Sequence, residues 1–263
     1  MIARLTLRFL ALGYLALLLV LPVTMIFVRT LSNGLGAVWD AVTQPAAIHA
    51  LWLTLLVATI AVLLNTVFGV ICALVLARHE FRGKALLNTL LDLPLAVSPV
   101  VVGLALLIVY GRTSLVGGWL AEVGIRVIFS TPGIILATVF VSLPFVVREV
   151  VPVLREIGTE QEQAASTLGA STFQTFRLVT LPAIRAGVAY GVVLTTARAI
   201  GEFGAVSIIS GKLTGRTETL TIYVEQSFLN FDIVGTYAAS VVLAVIAVVV
   251  LLLTNLSRPR EDY

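Results

Sequence analysis

Residues 163–182 read QAASTLGASTFQTFRLVTLP and stand between two long apolar segments. Just before them, Thr159 and Glu162 have the spacing of a capping box, which predicts that a short helix begins at Glu160. Gly169 follows where a left-handed residue would end that helix, because only glycine takes a positive φ without steric cost. The first half of this stretch therefore predicts one short helix that is closed by a glycine turn.

The second half of the stretch predicts another helix. Ser171 and Gln174 form a second capping-box pair, and Pro182 should stop or kink the helix that they begin. The result is a compact helix–turn–helix segment, which we expect to be a docking element. A DNA-binding helix-turn-helix is disfavoured, because the segment has few basic residues and adjoins apolar spans.

The composition is that of a membrane protein, since 59% of the residues are hydrophobic and only 12% are charged. A bilayer core about 30 Å thick is crossed by roughly 20 apolar residues of helix. The apolar runs are too long for strands, and no alternating pattern suggests a membrane barrel. We predict an all-α integral membrane protein with about six transmembrane helices, at residues 9–28, 52–77, 88–110, 133–151, 184–207 and 234–256.

The sequence shows none of the catalytic or metal-binding motifs that would indicate an enzyme. Cys72 is the only cysteine, so no intrachain disulfide can form, and the two histidines and scattered acids provide no metal-ligand cluster. A phosphate-cradling glycine loop is also missing. We expect no catalysis and no cofactor in this chain; if ATP drives it, another subunit must bind the nucleotide.

The basic residues are distributed as in a multi-pass membrane protein rather than as in a nucleic-acid-binding protein. They are concentrated before the first predicted span, after the second, around the 163–182 stretch and after the last span. By the positive-inside rule, both termini and the 163–182 stretch should lie in the cytoplasm. The residues that carry this bias are Arg4, Arg8, Arg78, Arg82, Lys84, Arg148, Arg155, Arg177, Arg185, Arg258 and Arg260.

Two prolines, Pro94 and Pro99, interrupt the third predicted span, and Ser98 directly precedes the second of them. Each proline frees a backbone carbonyl, which needs protein or water as its partner. A broken helix of this kind is expected beside a cavity, so Ser98 and Pro99 are candidate residues of a translocation pathway. A packing kink without a functional role is the alternative.

Two ionisable residues, Arg198 and Glu202, lie within the fifth predicted span. Charges inside a membrane cost several kcal/mol unless they are paired or hydrated. Their spacing places them on one helix face, within reach of an ion pair. They are either pathway residues, with Arg198 partly offsetting the charge of an anion, or an internal pair that locks two spans together; the two interpretations are compatible.

The 163–182 stretch resembles the cytoplasmic coupling loop of ABC importer permeases, which has the pattern EAA-xxx-G-xxxxxxxxx-I-x-LP. In that family the loop fits a groove on the ATP-binding subunit. The chain departs from the pattern at Gln163, which follows Glu162 and stands where Glu is usual, and at Val179, which stands where Ile is usual. The matching residues are Ala164, Ala165, Gly169, Leu181 and Pro182.

The stretch LPLAVSPVVVG at 93–103 resembles sulfate and molybdate permeases. Two further stretches, ARAIGEFGAVSIISG at 197–211 and GRTETLTIYVEQSF at 215–228, are similar to those of sulfate/thiosulfate importer permeases of the CysW type. The resemblance implies an N-terminal transmembrane helix and outer loop (1–50), an ABC type I transmembrane domain (51–257) and a cytoplasmic tail (258–263). Lys212 and Arg216, in the outer loop, are then candidates for contact with a binding protein, or simply solvated charges.

The resemblance also implies an assembly in the bacterial inner membrane. The chain would pair with a second homologous permease subunit, with two ATP-binding cassette subunits that bind ATP and Mg, and with a periplasmic or lipid-anchored sulfate-binding protein. Membrane lipid is an expected partner and nucleic acid is not. Transport would proceed by alternating access, in which the ATP-binding subunits move the 163–182 stretch.

Other functions stay open. Molybdate and tungstate are tetrahedral oxyanions similar to sulfate, so a molybdate/tungstate permease is an alternative. An ion-gradient-driven secondary transporter would be expected to show an internal repeat, and Arg198 and Glu202 have no counterpart in the first half of the chain. Neither such a transporter nor a passive channel explains the 163–182 stretch.

Overall fold

The computed structural model describes residues 2–257, and the predicted tail 258–263, with Arg258 and Arg260, lies outside the described residues. Every regular element within 2–257 is helical, as the apolar runs predict. Two short π-helical turns, Ala16–Val20 and Phe176–Thr180, join neighbouring helices. The α-helices are α1 (Ile2–Leu15), α2 (Leu21–Ser32), α3 (Leu35–Val42), α4 (Pro45–Arg78), α5 (Lys84–Ala96), α6 (Pro99–Tyr110), α7 (Leu115–Glu122), α8 (Thr131–Glu156), α9 (Glu160–Thr167), α10 (Thr172–Thr175), α11 (Leu181–Ile200), α12 (Gly204–Ile209), α13 (Leu220–Leu229) and α14 (Ile233–Ser257).

In the described part of the chain, five helical stretches are long and apolar enough to cross a membrane, and α5 with α6 would make a sixth crossing. The number agrees with the prediction, but the limits differ. The predicted fifth span, 184–207, is wrong at its end, because α11 ends at Ile200. The five stretches are Thr6–Ser32, Pro45–Arg78, Thr131–Glu156, Thr172–Ile200 and Ile233–Val250.

The predicted third span, 88–110, is not one straight helix, because α5 and α6 meet at an angle of 112°. Val97 and Ser98 lie between them with extended backbone angles, φ/ψ of −98°/137° and −57°/133°. A proline ring pushes the preceding residue out of the helical region, so Pro99 accounts for the bend at Ser98. Pro94, by contrast, is accommodated inside α5.

The centre of the bundle is α8, which packs most closely against α4 and α11 and also contacts α5, α6 and α12. Glycines allow the close approach: a Cβ on Gly69 of α4 would lie 2.8 Å from the Cβ of Val146, and one on Gly191 of α11 would lie 2.9 Å from the Cα of the same residue. Lipid removes the hydrophobic driving force between helices, so close packing through small residues holds them together. These three helices form the core.

A buried polar contact aligns α4 with α8. Asn65 is fully buried, and its Nδ2 donates to the carbonyl of Val139 at 3.1 Å and to Oγ of Ser142 at 2.9 Å. An amide without partners in an apolar interior is costly. A shift of α4 along α8 would break these hydrogen bonds as well as the packing, so it is disfavoured.

The ends of the bundle differ. At one end, the last residues of α4 and α8 meet the residues from 159 to 182, which we call the 159–182 segment. At the opposite end, the N–H of Phe129 donates to the carbonyl of Ile209 at 2.9 Å, which joins the start of α8 to the end of α12. The core helices thus connect the 159–182 segment to the opposite end of the molecule.

Candidate functional site

Gly169 connects the two helices of the 159–182 segment. Its φ is +86°, in the predicted left-handed region. Its N–H donates to Ser166 at 3.0 Å and the N–H of Ala170 donates to Ala165 at 3.1 Å, which satisfies carbonyls at the end of α9. A Cβ at Gly169 would meet nothing within 4 Å. Glycine is therefore required here by the backbone angle and not by lack of space.

One of the two predicted capping boxes forms. Ser171 Oγ accepts from the N–H of Gln174 at 3.4 Å, and Gln174 Oε1 accepts from the N–H of Ser171 at 2.8 Å. The other box is wrong, because the Thr159 side chain caps no backbone N–H, although α9 begins at the predicted residue. Thr159 Oγ1 instead accepts from Nε2 of Gln163 at 3.1 Å. A neutral amide thus occupies the position where the coupling-loop pattern has a glutamate.

Glu162 does not cap α9, because its carboxylate binds Arg78 at the end of α4. Arg78 Nε and Nη2 donate to the two carboxylate oxygens at 3.0 and 3.1 Å. Nη1 donates to the carbonyl of Leu154 in α8 at 2.6 Å, and Thr180 Oγ1 donates to the same carboxylate at 2.9 Å. The two charged side chains are only 12% and 21% exposed, and a bidentate pair is stronger than a single contact. One network joins α4, α8, α9 and the turn before α11.

The second helix of the segment was predicted to stop or kink at Pro182, and it does not stop there. One apolar helix runs from Thr172 to Ile200. Proline has no N–H, and its ring clashes with the carbonyl four residues earlier. The π turn Phe176–Thr180 lies directly before it, and the N–H of Leu181 donates to Phe176 across that wider turn. Leu181 and Pro182 are exposed on the first turn of α11.

The surface of the 159–182 segment carries exposed apolar side chains. Leu168 is 88% exposed and Phe173 is 69% exposed. Ala164 is exposed beside them and Ala165 is half-buried. Exposed apolar side chains in this segment are candidates for contact with another protein.

A cleft of about 370 Å³ separates the 159–182 segment from the end of α4. Arg78, Glu162 and Phe176 are among its lining residues. The main packing partners of α9 are α10 and the π turn that follows α10. The Arg78–Glu162 pair therefore crosses the edge of a cleft and connects α9 to the core helices.

The break between α5 and α6 lies beside the break between α11 and α12. A Cβ on Gly204 would lie 2.8 Å from the Cβ of Pro99, and one on Gly103 would lie 2.7 Å from the carbonyl oxygen of Ala205. Ser98 is exposed and Pro99 is half-buried. Irregular backbone at membrane depth is tolerated where protein buries it or where it lines water. The side of these breaks that packs at Gly204 and Gly103 is buried in protein. The exposed Ser98 is suited to a position that lines water.

Arg198 and Glu202 form the predicted ion pair, with 2.5 Å between Nη1 and Oε2. They are not on one helix as predicted, because Glu202 follows the end of α11. The Glu202 side chain is 2% exposed and that of Arg198 is 30% exposed. Glu202 Oε1 accepts from the N–H of Ala205 at 2.9 Å, and its carbonyl accepts from Thr221 Oγ1 at 2.9 Å. Glu202 therefore anchors α12 and α13 to α11, while Arg198 stays partly open.

Lys212 and Arg216, the candidate contacts for a binding protein, lie between α12 and α13 at the opposite end. Lys212 Nζ is 2.6 Å from Oε2 of Glu225, so its charge is partly balanced within the chain. The Arg216 side chain is exposed, and its carbonyl lies 3.4 Å from Nε2 of His49. Arg216 offers the more available positive charge of the two.

Glu218, in the same loop, is a buried acid that the sequence does not reveal. Its side chain is 2% exposed, and its Oε2 finds no hydrogen-bond partner among the described residues. Burial raises the pKa of this carboxyl, while a hydrogen bond with Thr214 and the charge of His49 act in the opposite direction. A glutamate among loop residues gives no sequence signal of such burial.

The structure also pairs Asp92 with Arg148, which sequence spacing does not predict. Arg148 Nε donates to Asp92 Oδ1 at 2.7 Å, and Nη2 donates to Oδ2. The contact joins α5 to α8, and the two side chains are 42% and 38% exposed in the order Arg148, Asp92. Two charges within apolar stretches are a signal that the sequence carries, but their pairing depends on how α5 packs against α8.

The chain is similar to known transport proteins in sequence and in fold. Residues 65–263 match the family described as binding-protein-dependent transport system inner membrane component. The chain is 50% identical over 254 residues to the sulfate transport system permease protein CysW of Synechocystis sp., which covers 97% of this chain and 92% of that protein. It is 47% identical over 247 residues to the protein of the same description from Escherichia coli K12, covering 94% and 85%. A crystal structure of a bacterial alginate ABC transporter, in complex with an alginate pentasaccharide-bound periplasmic protein, has a similar fold, with a TM-score of 0.80 at 20% identity over 97% of this chain and 94% of that one.

Proposed function

This chain belongs to the family of binding-protein-dependent transport system inner membrane components, and we propose that it is the permease subunit of an ATP-driven importer of sulfate or thiosulfate. The observation that carries the proposal is an identity of 47% and 50% to two sulfate transport system permease proteins over nearly the whole chain. The exposed 159–182 segment supports the ATP-driven part, because it offers a partner surface next to the core helices.

The working assembly in this proposal has several subunits. A second, homologous permease subunit completes the membrane pathway, and two ATP-binding cassette subunits bind ATP and Mg. A periplasmic or lipid-anchored sulfate-binding protein delivers the anion. This chain itself performs no catalysis. The Gln163-Ala164-Ala165 surface, with Gly169, Leu181 and Pro182, contacts one ATP-binding subunit.

The proposed orientation places the 159–182 segment and both termini in the cytoplasm. The concentration of arginine and lysine at that end of the bundle supports it. The opposite end, with Lys212 and Arg216, then faces the binding protein. Arg216 is the stronger candidate for that contact because Lys212 is paired with Glu225.

The structure suggests how movement reaches the pathway in an alternating-access cycle. Closure of the ATP-binding subunits moves α9, and the Glu162 carboxylate transmits this movement to Arg78 and to Leu154 at the ends of α4 and α8. These helices form the rigid core, so their rotation displaces the packed breaks at Pro99 and Gly204. The pathway residues in this proposal are Ser98, Pro99, Arg198 and Glu202.

Uptake of labelled sulfate into vesicles that contain the complete complex tests the proposal. ATP is supplied or withheld, and unlabelled thiosulfate or molybdate is added as a competitor. The control complex carries an ATP-binding subunit that cannot hydrolyse ATP. We expect uptake that requires hydrolysis, that thiosulfate reduces and that molybdate leaves unchanged.

Two results would change this conclusion. ATP-dependent uptake that is abolished by low molybdate would reassign the cargo to molybdate or tungstate and keep the ATP-driven mechanism. Uptake that ignores ATP and follows an ion gradient would refute the ATP-driven mechanism in favour of a secondary transporter.

A further inference from the structure

The Asp92–Arg148 pair joins α5 to α8 within the helical bundle. Asp92 is about two turns, roughly 12 Å, from the start of α5 at Lys84, and Arg148 is about as far from the end of α8 at Glu156. Both helix ends are at the end of the bundle that carries the 159–182 segment. The pair therefore lies within the regular helices of two candidate membrane-crossing stretches and not in a loop.

Arg148 is an exposed residue in a part of α8 that is otherwise covered by its neighbours. Between Pro132 and Pro152, every residue of α8 except Arg148 is buried or half-buried. The Arg148 side chain is 42% exposed. Ionisable side chains at membrane depth face a water-filled cavity or another protein surface, because hydrocarbon cannot solvate them. We therefore expect the exposed side of this pair to meet water or another protein.

Further polar groups follow Asp92 in the chain. Ser98, at the bend directly beyond Asp92 in the chain, is exposed. Pro94 has no N–H, so the carbonyl one turn before it in α5 loses its helical donor. Such a group needs protein or water as its partner. Ser98 and the Asp92–Arg148 pair therefore place polar groups beside the exposed leucines of α5, such as Leu90 and Leu95.

We propose that Arg148 binds the oxyanion during its passage and that Asp92 is the internal anion that the cargo displaces from it. This inference rests on the proposed function and deepens it, because it names a binding residue for the cargo. A guanidinium presents two parallel N–H donors that fit a tetrahedral oxyanion as well as they fit a carboxylate. In the structure Asp92 occupies both donors.

Competition between Asp92 and the cargo for Arg148 lowers the affinity of the site for the anion. An unpaired arginine among apolar helices would be costly in the empty transporter and would hold an anion tightly. With Asp92 present, the empty site is electrically balanced, and the oxyanion binds only by the difference between two similar interactions. A site of low affinity releases its cargo readily, which transport requires.

A thiol reporter at the bend that follows Asp92 tests the inference without relying on transport. Cys72, the only cysteine of this chain, is replaced by Ala, the other subunits are made cysteine-free, and Ser98→Cys is introduced into the complete complex. Its reaction with a hydrophilic thiol reagent is followed as sulfate is added, with chloride at equal ionic strength as the control. Leu95→Cys, also exposed, provides a second reporter if Ser98→Cys impairs assembly.

We expect sulfate, but not chloride, to slow the reaction of the reporter. Arg148→Gln should abolish this protection. Asp92→Asn should lower the protective sulfate concentration by about tenfold or more, since a charge-assisted contact becomes available to the anion. Glu80→Gln, which breaks the exposed Lys84–Glu80 pair outside the apolar region, is the matched control and should leave protection unchanged.

A purely structural pair would give a different result, because Asp92→Asn and Arg148→Gln would then impair assembly alike and leave protection unshifted. That outcome, or a reporter that does not react with the hydrophilic reagent, would overturn the inference. ATP-driven sulfate uptake is measured in the same preparation. Its absence refutes the proposed function, whereas uptake combined with unshifted protection refutes only the role of Arg148.

Discussion

The guanidinium of Arg78 holds the carboxylate of Glu162 by two hydrogen bonds of 3.0 and 3.1 Å, across 84 residues of sequence. Arg78 ends the longest helix among the described residues, and Glu162 lies in α9, which projects beside a cleft. The contact therefore joins the segment that we propose to receive force to a core helix that transmits it. The Leu154 carbonyl and the Thr180 hydroxyl complete the same network.

Replacing Glu162 by Gln should weaken this connection. The change leaves Arg78 shielded from water without a counter-ion, which we expect to cost about 1–3 kcal/mol of stability. The coupling of the complex, measured as ATP hydrolysed per sulfate transported, should rise because α9 no longer moves α4 and α8 with it. Glu160→Gln, an exposed acid in the same helix, is the control. Equal ratios for the two variants would show that the pair does not transmit movement.

Gly169→Val should uncouple transport while the protein still inserts into the membrane. Valine is strained at a φ of +86°, so the turn between α9 and α10 should change shape, at a cost of about 1–2 kcal/mol that stays local. We expect sulfate uptake to fall at least about tenfold at normal membrane amounts. Gly124→Val, on a different loop, is the control. Gly124 has a similar φ of +80°, and a Cβ there would also meet nothing within 4 Å. Normal uptake by Gly169→Val at normal expression would contradict the coupling role of the turn.

Gly103→Ala should destabilise the packing of the two broken helices. The new Cβ would lie 2.7 Å from the carbonyl oxygen of Ala205, so the backbones of α6 and α12 must move apart. The expected loss is about 1–3 kcal/mol, seen as a lower thermal unfolding temperature of the purified complex. Gly118→Ala in α7 meets only an ordinary contact at 3.5 Å and should be neutral or stabilising. Unchanged stability of Gly103→Ala would mean that α6 and α12 are not packed as described.

Glu218→Gln should stabilise the protein at pH 7.5. Burial raises the pKa of the Glu218 carboxyl, so the folded protein retains its proton at pH values where the unfolded chain has lost it. The contribution of this group to stability therefore falls as pH rises from the ordinary pKa of glutamate, about 4.3, through the raised value. The advantage of the variant in thermal unfolding should shrink as pH falls towards about 4.3. Glu122→Gln, an exposed acid in α7, should show no such dependence, and a variant advantage independent of pH would contradict the burial argument.

Local signals in the sequence were enough to predict several features of the 159–182 segment. The left-handed turn at Gly169 and the capping box of Ser171 with Gln174 depend only on residues close in the chain, and both are confirmed. Thr159 and Glu162 have the same spacing but form no box, because Arg78 binds Glu162 more strongly than an exposed helix N-terminus does. Pro182 does not end its helix, because the preceding π turn accommodates it.

The sequence by itself determined that this protein is an all-helical membrane protein with about six crossings, and it determined where the segment with the glycine turn lies. Both follow from apolar length and from contacts within a few residues, which need no partner from elsewhere in the chain. Only the tertiary structure decided that Arg78 holds Glu162, that Asp92 holds Arg148, that Glu218 is buried and that the breaks at Pro99 and Gly204 touch. Each of these depends on which helix faces lie together, and that is set by packing over long sequence distances, which no local pattern specifies.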